Sequence, residues 1–214
     1  MALSVHERAD AILALDLAAR MKKLGWRKRA RTFWRDAQTV EAKPTKVVQL
    51  CEVVVGGSTS SVEGVVRVTL ATFFPEHMPV LTPWQKKPPS PIKEVDGHIR
   101  TPLGLLLPAK DREHAWRLGE GTQDDAVAKE LADTIESVAV PFLDGCLDMA
   151  KVVSGDVPGV DPQLAALLLV RLARKDEARA QLEAILAAKP KDYMAVASLA
   201  GRLKLPPPPR PAAT

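Results

Sequence analysis

Apolar residues recur every three or four positions as far as Leu24, and then every second position. Ala9, Ile12, Leu13, Ala19 and Met21 fall on one helical face, with Glu7, Arg8, Asp10, Asp16 and Lys23 on the other. The spacing predicts a helix from Ser4 to about Leu24. Ser4-Val5-His6-Glu7 has the pattern of a capping box at its start. Gly25 follows the last periodic residue and suits a left-handed helix end. Arg20, Lys22 and Lys23 in the last turn suit the negative end of the helix dipole.

The period-two region predicts strands at Thr32 to Gln38, Lys46 to Val55 and Val65 to Phe74, all rich in Val, Thr, Phe and Trp. The turn-forming run Gly56-Gly57-Ser58-Thr59-Ser60-Ser61 makes the last two antiparallel neighbours. In the third strand Val66, Val68, Leu70, Thr72 and Phe74 share a face. Val65, Arg67, Thr69, Ala71 and Phe73 share the other. One face is expected to pack on helices and the other to be half exposed.

Six prolines in seventeen residues mark 75–91 as a stiff, irregular loop carrying Trp84, Lys86 and Lys87. Asp96-Gly97, between Ile92–Val95 and His98–Arg100, reads as a hairpin turn. Further short strands are expected at Leu105 to Leu107 and around Trp116. From Thr122, a candidate cap, the pattern is helical to about Val153, with a kink or division at Pro141. Asp161-Pro162 starts another helix. Asp176 and Asp192 are candidate caps for the last two. Pro206 to Pro211 reads as a solvated polyproline II end.

These elements define an α+β protein: an antiparallel sheet of about five strands packed against helices, with a C-terminal helical hairpin. The organisation expected is an α+β domain over 1–158, a helical extension packed on it over 159–205, and a proline-rich tail over 206–214.

Composition alters this picture little. The chain has 214 residues, 46% of them hydrophobic and 4% aromatic, so a core of Leu, Val and Ala is expected. No apolar run is long enough for a membrane span, and Met1 to Glu7 does not have the build of a signal peptide. Cys51 and Cys146 are too few for a disulfide framework. They read as reduced, buried residues of a cytoplasmic protein.

Charge alters it more. Eight of the sixteen residues from Arg20 to Arg35 are basic and none is acidic, although the whole chain carries only +4. Trp26, Phe33 and Trp34 lie among them. Strand alternation puts Thr32 and Trp34 on one face and Phe33 and Arg35 on the other, so at least one aromatic is expected in the core. The candidate partner-binding residues are Trp26, Arg27, Lys28, Arg29, Arg31 and Arg35. An acidic protein is the partner such a surface fits, with nucleic acid held by phosphate contacts and Trp stacking as the alternative. A plain solvated face is the third reading.

Catalytic and metal chemistry find little support. His6, His77, His98 and His114 lie in different segments without a second ligand at metal spacing. The chain has no nucleophile elbow, no phosphate loop and no dinucleotide fingerprint. Gly56-Gly57-Ser58 precedes a strand and reads as a turn. No cofactor is expected. A small hydrolase with an unrecognised site is the remaining enzymatic alternative.

Met21-Lys-Lys-Leu-Gly-Trp-Arg-Lys-Arg-Ala-Arg-Thr-Phe-Trp-Arg35, followed by a strand containing Val47-Val48-Gln49, resembles the bacterial domain-of-unknown-function 4304 family. That family's pattern is L-x-x-x-G-F-x-K-x-x-x-x-F-x-R, then Val-x-Gln. The resemblance covers about residues 5–150, with Gly25-Trp26 in place of Gly-Phe. It implies a fold and no mechanism. It also implies kinship with accessory or immunity proteins of bacterial toxin systems. Separately, Leu172 to Ala178 with Ala188-Lys-Pro190 resembles one tetratricopeptide unit. The function expected is that of a non-enzymatic cytoplasmic interaction protein that captures an acidic toxin or effector.

Overall fold

The computed structural model describes residues 3–108 and 115–210. The first helical segment is α1 (Val5–Leu15) followed by α2 (Leu17–Lys23). The capping box at Ser4 is complete: the Ser4 hydroxyl accepts from the Glu7 amide and the Glu7 carboxylate accepts from the Ser4 amide. The single helix expected to Leu24 is divided at Asp16, whose φ of −140° leaves the helical region. The bend keeps Leu17 and Met21 on the same core as Val5, Ala9, Ile12 and Leu13. At the far end Gly25 has φ +81°, and the Gly25 and Trp26 amides donate back to Lys22 and Met21 carbonyls.

Among the described residues the sheet has six strands: β1 (Arg27–Arg29), β2 (Thr32–Gln38), β3 (Lys46–Gly56), β4 (Gly64–Phe73), β5 (Ile99–Pro102) and β6 (Trp116–Leu118). All pairings are antiparallel in the order β1-β2-β3-β4-β5, and β6 pairs with the other end of β4. Two expected elements are absent. Glu94–Asp96 is a 3-10 turn and not half of a hairpin, because the β5 strand pairs with β4 instead. Leu103–Leu106 is likewise a 3-10 turn and not a strand. The strand expected at Trp116 is present, and the edge strand β1 inside the basic stretch was not anticipated.

The inner sheet face buries Phe33, Cys51, Val53, Val66, Val68 and Leu70 against α1, α2 and the helices after residue 123. Those helices are α4 (Asp124–Thr134), a π turn (Ile135–Ala139), α5 (Val140–Gly145) and α6 (Met149–Val153). The break expected at Pro141 takes the form of the π turn, which accommodates the missing proline N–H. Thr122 does not cap α4. Its hydroxyl accepts from the Gly119 amide, closing the preceding turn.

The proline-rich loop holds a short helix, α3 (Met78–Leu81), and folds over part of the outer sheet face. Leu50, Ala71 and Phe73 pack there against Met78, with Trp34, Val48 and Ile92 around them. The outer face is therefore covered at one end and open at the other.

The chain closes with α7 (Pro162–Arg171), α8 (Lys175–Ala188) and α9 (Tyr193–Arg202). Asp161 caps α7 as expected, whereas Asp176 lies inside the first turn of α8 and Asp192 precedes α9 without a side-chain cap bond. Their apolar faces share a cluster with Val47, Phe74, Ile99 and Cys146, so sheet and extension meet in one core. The polyproline end is not simply solvated. Leu205 and Pro208 are buried, and the Arg210 guanidinium lies 5.8 Å from the Tyr193 ring centroid. Pro211 and His114 lie outside the described residues.

Candidate binding cleft on the outer sheet face

Strand alternation divides the basic stretch between two environments. Arg27 and Arg29 pair with Trp34 and Thr32 on the outer face, whereas Lys28 pairs with Phe33 on the inner side. Six residues were the sequence's candidates for partner binding, and the structure separates them by partner.

Trp26 is only 3% exposed and belongs to the core, so it is not a surface anchor. Arg35 covers it, with the guanidinium 4.7 Å from the ring centroid. Arg35 also donates through Nε to Gln49 Oε1 at 2.6 Å and forms an ion pair with Asp144. Gln49, fully buried, donates in turn to the Leu143 carbonyl. The facing register Arg35↔Gln49 makes this network possible. It ties β2 and β3 to α5.

Arg31 is similarly engaged. Its Nε and Nη2 reach the two Asp10 carboxylate oxygens at 2.7 and 3.0 Å, and Nη2 also donates to the His6 carbonyl at 3.0 Å. That contact pins the β1–β2 turn to α1 and holds the Asp10 carboxyl below its usual range. Arg27 pairs with Asp36 and stands 5.4 Å from the Trp34 ring centroid. Arg20 joins Asp16, Asp133 and Glu136. Four of the eight basic residues therefore have acidic neighbours from other segments, which removes much of the mutual repulsion the bare sequence suggests. Lys22, Lys23, Lys28 and Arg29 form no salt bridge with the described residues. Lys28 lies 5.8 Å from the Phe33 ring centroid.

The open part of the outer face forms a cleft of about 630 Å³. Its floor is Thr32 and Trp34 from β2 with Val48, Leu50 and Glu52 from β3. Its wall is the Pro89-Ser90-Pro91-Ile92-Lys93 segment of the proline-rich loop, and Arg29 and Ala30 close one end. The Ser90–Pro91 peptide is cis. Trp34 is half-buried there, so its ring is partly available. Glu52 has no hydrogen bond or ion pair with the described residues. Burial pushes its carboxyl above the usual range, Glu94 adds to the effect and Lys93 opposes it. A volume of this size matches pockets that hold a small ligand or a few residues of a peptide.

Of the sequence candidates only Arg29 lines the cleft, with Arg27 beside it through Trp34. Glu52, Leu50 and Lys93 were missed. Their participation depends on which way the proline-rich loop folds, and no local pattern encodes that.

Other chemistry is sparse. Cys51 and Cys146 are free and buried, with both thiols pushed up to about 12 by desolvation. Burial lowers His77 and His98 to about 4. His98 Nδ1 accepts from the Phe74 amide at 3.0 Å, and its ring stacks on Phe73. No group of three His, Cys, Asp or Glu among the described residues is arranged to hold a metal ion. No helix among them is long and apolar enough to cross a membrane.

Fold and cleft together describe an α+β protein with a helix-backed antiparallel sheet and a mixed-charge recess on its front. Residues 17–145, more than half of the chain, match the model of the family described as "Domain of unknown function (DUF4304)". The chain belongs to that family. No significant match exists among curated proteins or solved structures.

Proposed function

We propose that this is a non-enzymatic, cytoplasmic interaction protein that captures an acidic segment of a protein partner in the outer-face cleft. The observation that carries the reading is the cleft itself: an apolar floor bearing Trp34 and Leu50, bordered by Arg29 and Lys93 beside the basic edge strand. Lys22, Lys23 and Lys28 add positive charge near that edge and would speed encounter with an acidic chain. Trp34 and Val48, both half-buried, supply the apolar area that holds the complex once formed. Trp84, 77% exposed on the proline-rich loop, is a second aromatic available for contact. We take the partner to be a bacterial toxin or effector, as the resemblance carried by the Met21–Arg35 pattern implies.

A short strand with three exposed basic side chains also has a protective use, since charge on a sheet edge discourages edge-to-edge aggregation. That role explains β1 but not the recess beside it.

The test uses fluorescein-labelled acidic peptides containing one or two large apolar residues, read by anisotropy. Binding is expected to be lost in the Arg29→Glu/Lys93→Glu variant and retained in Lys191→Glu, which lies on the 3-10 turn before α9. Single-stranded DNA serves as the comparison. Binding of DNA alone, falling log-linearly with salt and indifferent to Trp34→Ala, would support the nucleic-acid reading instead.

A further inference from the structure

The cleft is not a uniformly basic trough. Its lining carries two carboxylates, Asp36 and Glu52, and Glu52 is flanked by Thr32 across the β2 register and Thr69 across the β4 register. Among the residues lining the recess, Asp36 is already matched by Arg27. Glu52 is different: it is half-buried, it lines the cavity, and it has no hydrogen bond or ion pair with the described residues, although Arg29 and Lys93 line the same space and Lys93 acts on it from a distance. A partly buried carboxylate without a donor is costly to keep, because desolvation is not offset by a hydrogen bond. A ligand that brings a donor removes that cost on binding.

Two unpaired cations and one unpaired carboxylate around a Trp34–Val48–Leu50 floor are complementary to a chain segment of the reverse pattern. We infer that the cleft reads a dipolar amphipathic peptide: acidic positions toward Arg29 and Lys93, an apolar residue on Trp34 and Val48, and one Lys or Arg toward Glu52. Glu52 is thus the specificity-determining residue, and a plain polyacidic strand is the wrong ligand. This inference rests on the docking role proposed for the cleft and adds the sequence class of the segment that docks. The opposing charges also serve discrimination. A polyanion such as nucleic acid gains from Arg29 and Lys93 but meets the Glu52 carboxylate with no compensating donor.

The experiment is a positional-scanning library of short synthetic peptides, each with a fixed central Leu or Phe, applied to the full chain and to two variants. For the wild-type protein, acidic residues are selected at some positions and Lys or Arg at one. Replacing that basic residue with Ala weakens binding about tenfold, the loss of one charge-assisted hydrogen bond in a partly desolvated site. In Glu52→Gln the basic preference disappears while the acidic preferences persist. In Arg29→Glu/Lys93→Glu the acidic preferences disappear. Selection for acidic residues with no basic preference in the wild type, or a basic preference that survives Glu52→Gln, overturns the role of Glu52 and leaves the docking role standing. A library without any selection removes both. Urea unfolding of each variant confirms that the fold is intact, since neither Glu52 nor the two cations hold a bond that the fold uses.

Discussion

Replacing Arg35 with Ala tests whether the basic stretch is partly structural. Arg35 lies half-buried beside Trp26 and makes three contacts. Removing it orphans Gln49 Oε1 inside the protein, at a cost of about 1–3 kcal/mol. Loss of the stacking on Trp26 adds about 0.5–1 kcal/mol. The ion pair with Asp144 adds no more than about 1 kcal/mol, because the Asp144 side chain is 51% exposed and screened by solvent. These terms share a side chain and do not sum fully, so the expected loss is about 2–4 kcal/mol. In a chain of this size that corresponds to a fall in Tm of about 5–15 °C. Urea unfolding followed by far-UV circular dichroism measures it. Arg29→Ala is the matched control and should change stability by less than about 0.5 kcal/mol, because Arg29 is exposed and bonds to nothing described. Arg35→Met/Gln49→Met, which removes donor and acceptor together, should recover part of the loss. Equal stability of Arg35→Ala and the wild type would refute the interior network. A larger loss for Arg29→Ala than for Arg35→Ala would reverse the assignment of structural and free cations.

Three further outcomes follow from the core. His77 and His98 are held neutral by burial, with folded values near 4 against 6.5 for an unperturbed imidazole. The unfolded chain therefore takes up protons first. Stability should be full above about pH 6.5 and fall as pH drops toward 4, by up to about 3 kcal/mol per histidine; urea midpoints at pH 7.5 and 5.5 measure this before most carboxylates titrate, and equal midpoints would contradict it. Gly159→Ala places a Cβ 1.8 Å from the Arg100 carbonyl oxygen where the turn before α7 bonds to β5, whereas Gly25→Ala meets nothing within 4 Å. The first should cost more than about 3 kcal/mol and the second about 1 kcal/mol, from its positive φ alone, and comparable losses in thermal melts would undo the argument. Cys51 and Cys146 should resist a thiol reagent in the native protein and react in urea, since burial disfavours both thiolates.

The elements that the sequence revealed are those with local causes. The Ser4 capping box, the Gly25 helix end, β2, β3, β4 and the Asp161-Pro162 start all depend on residues within a turn or two. The errors arose where distant partners decide. Asp96-Gly97 has hairpin chemistry, but its following strand finds β4, whose edge offers a longer ladder and a buried face. Leu105 to Leu107 looks strand-like from its apolar run, yet the chain turns in a 3-10 helix directly after β5 and buries Leu103 beneath it. Asp16 sits within an unbroken helical pattern, and the bend there reflects the curvature of the core. The site was less legible than the fold. Trp26 looked like an exposed anchor because it stands among cations, but the cation nearest in space, Arg35, seals it inside. Arg29 was singled out only as one of a dense run of basic residues, because the edge strand that exposes it leaves no period in the sequence. Glu52 reads locally as one polar position in a Val-rich strand, and only the loop folding over 89–93 turns it into part of a recess.

The residues that carry the family pattern lie mainly behind the sheet. Gly25 ends α2, and Trp26, Phe33, Arg35 and Gln49 pack or bond on the inner face. The cleft is built on the same strands from the alternate positions: Thr32, Trp34, Val48, Leu50 and Glu52. A pleated strand makes the two sets neighbours in sequence and opposites in space. Fixing β2 and β3 to α5 through Arg35 and Gln49 fixes the floor of the cleft without using any side chain that a ligand would touch. Arg29, Glu52 and Lys93 can then change with little effect on folding, which is the condition under which recognition diverges while a fold persists. A deep mutational scan scored separately for abundance and for peptide binding would show that division directly. Substitutions at Trp26, Phe33, Arg35 and Gln49 should lower abundance, and those at Arg29, Glu52 and Lys93 should lower binding at constant abundance. Abundance losses at Glu52 as large as those at Gln49 would mean that both faces of the strand serve the core and that the recess has no separate role.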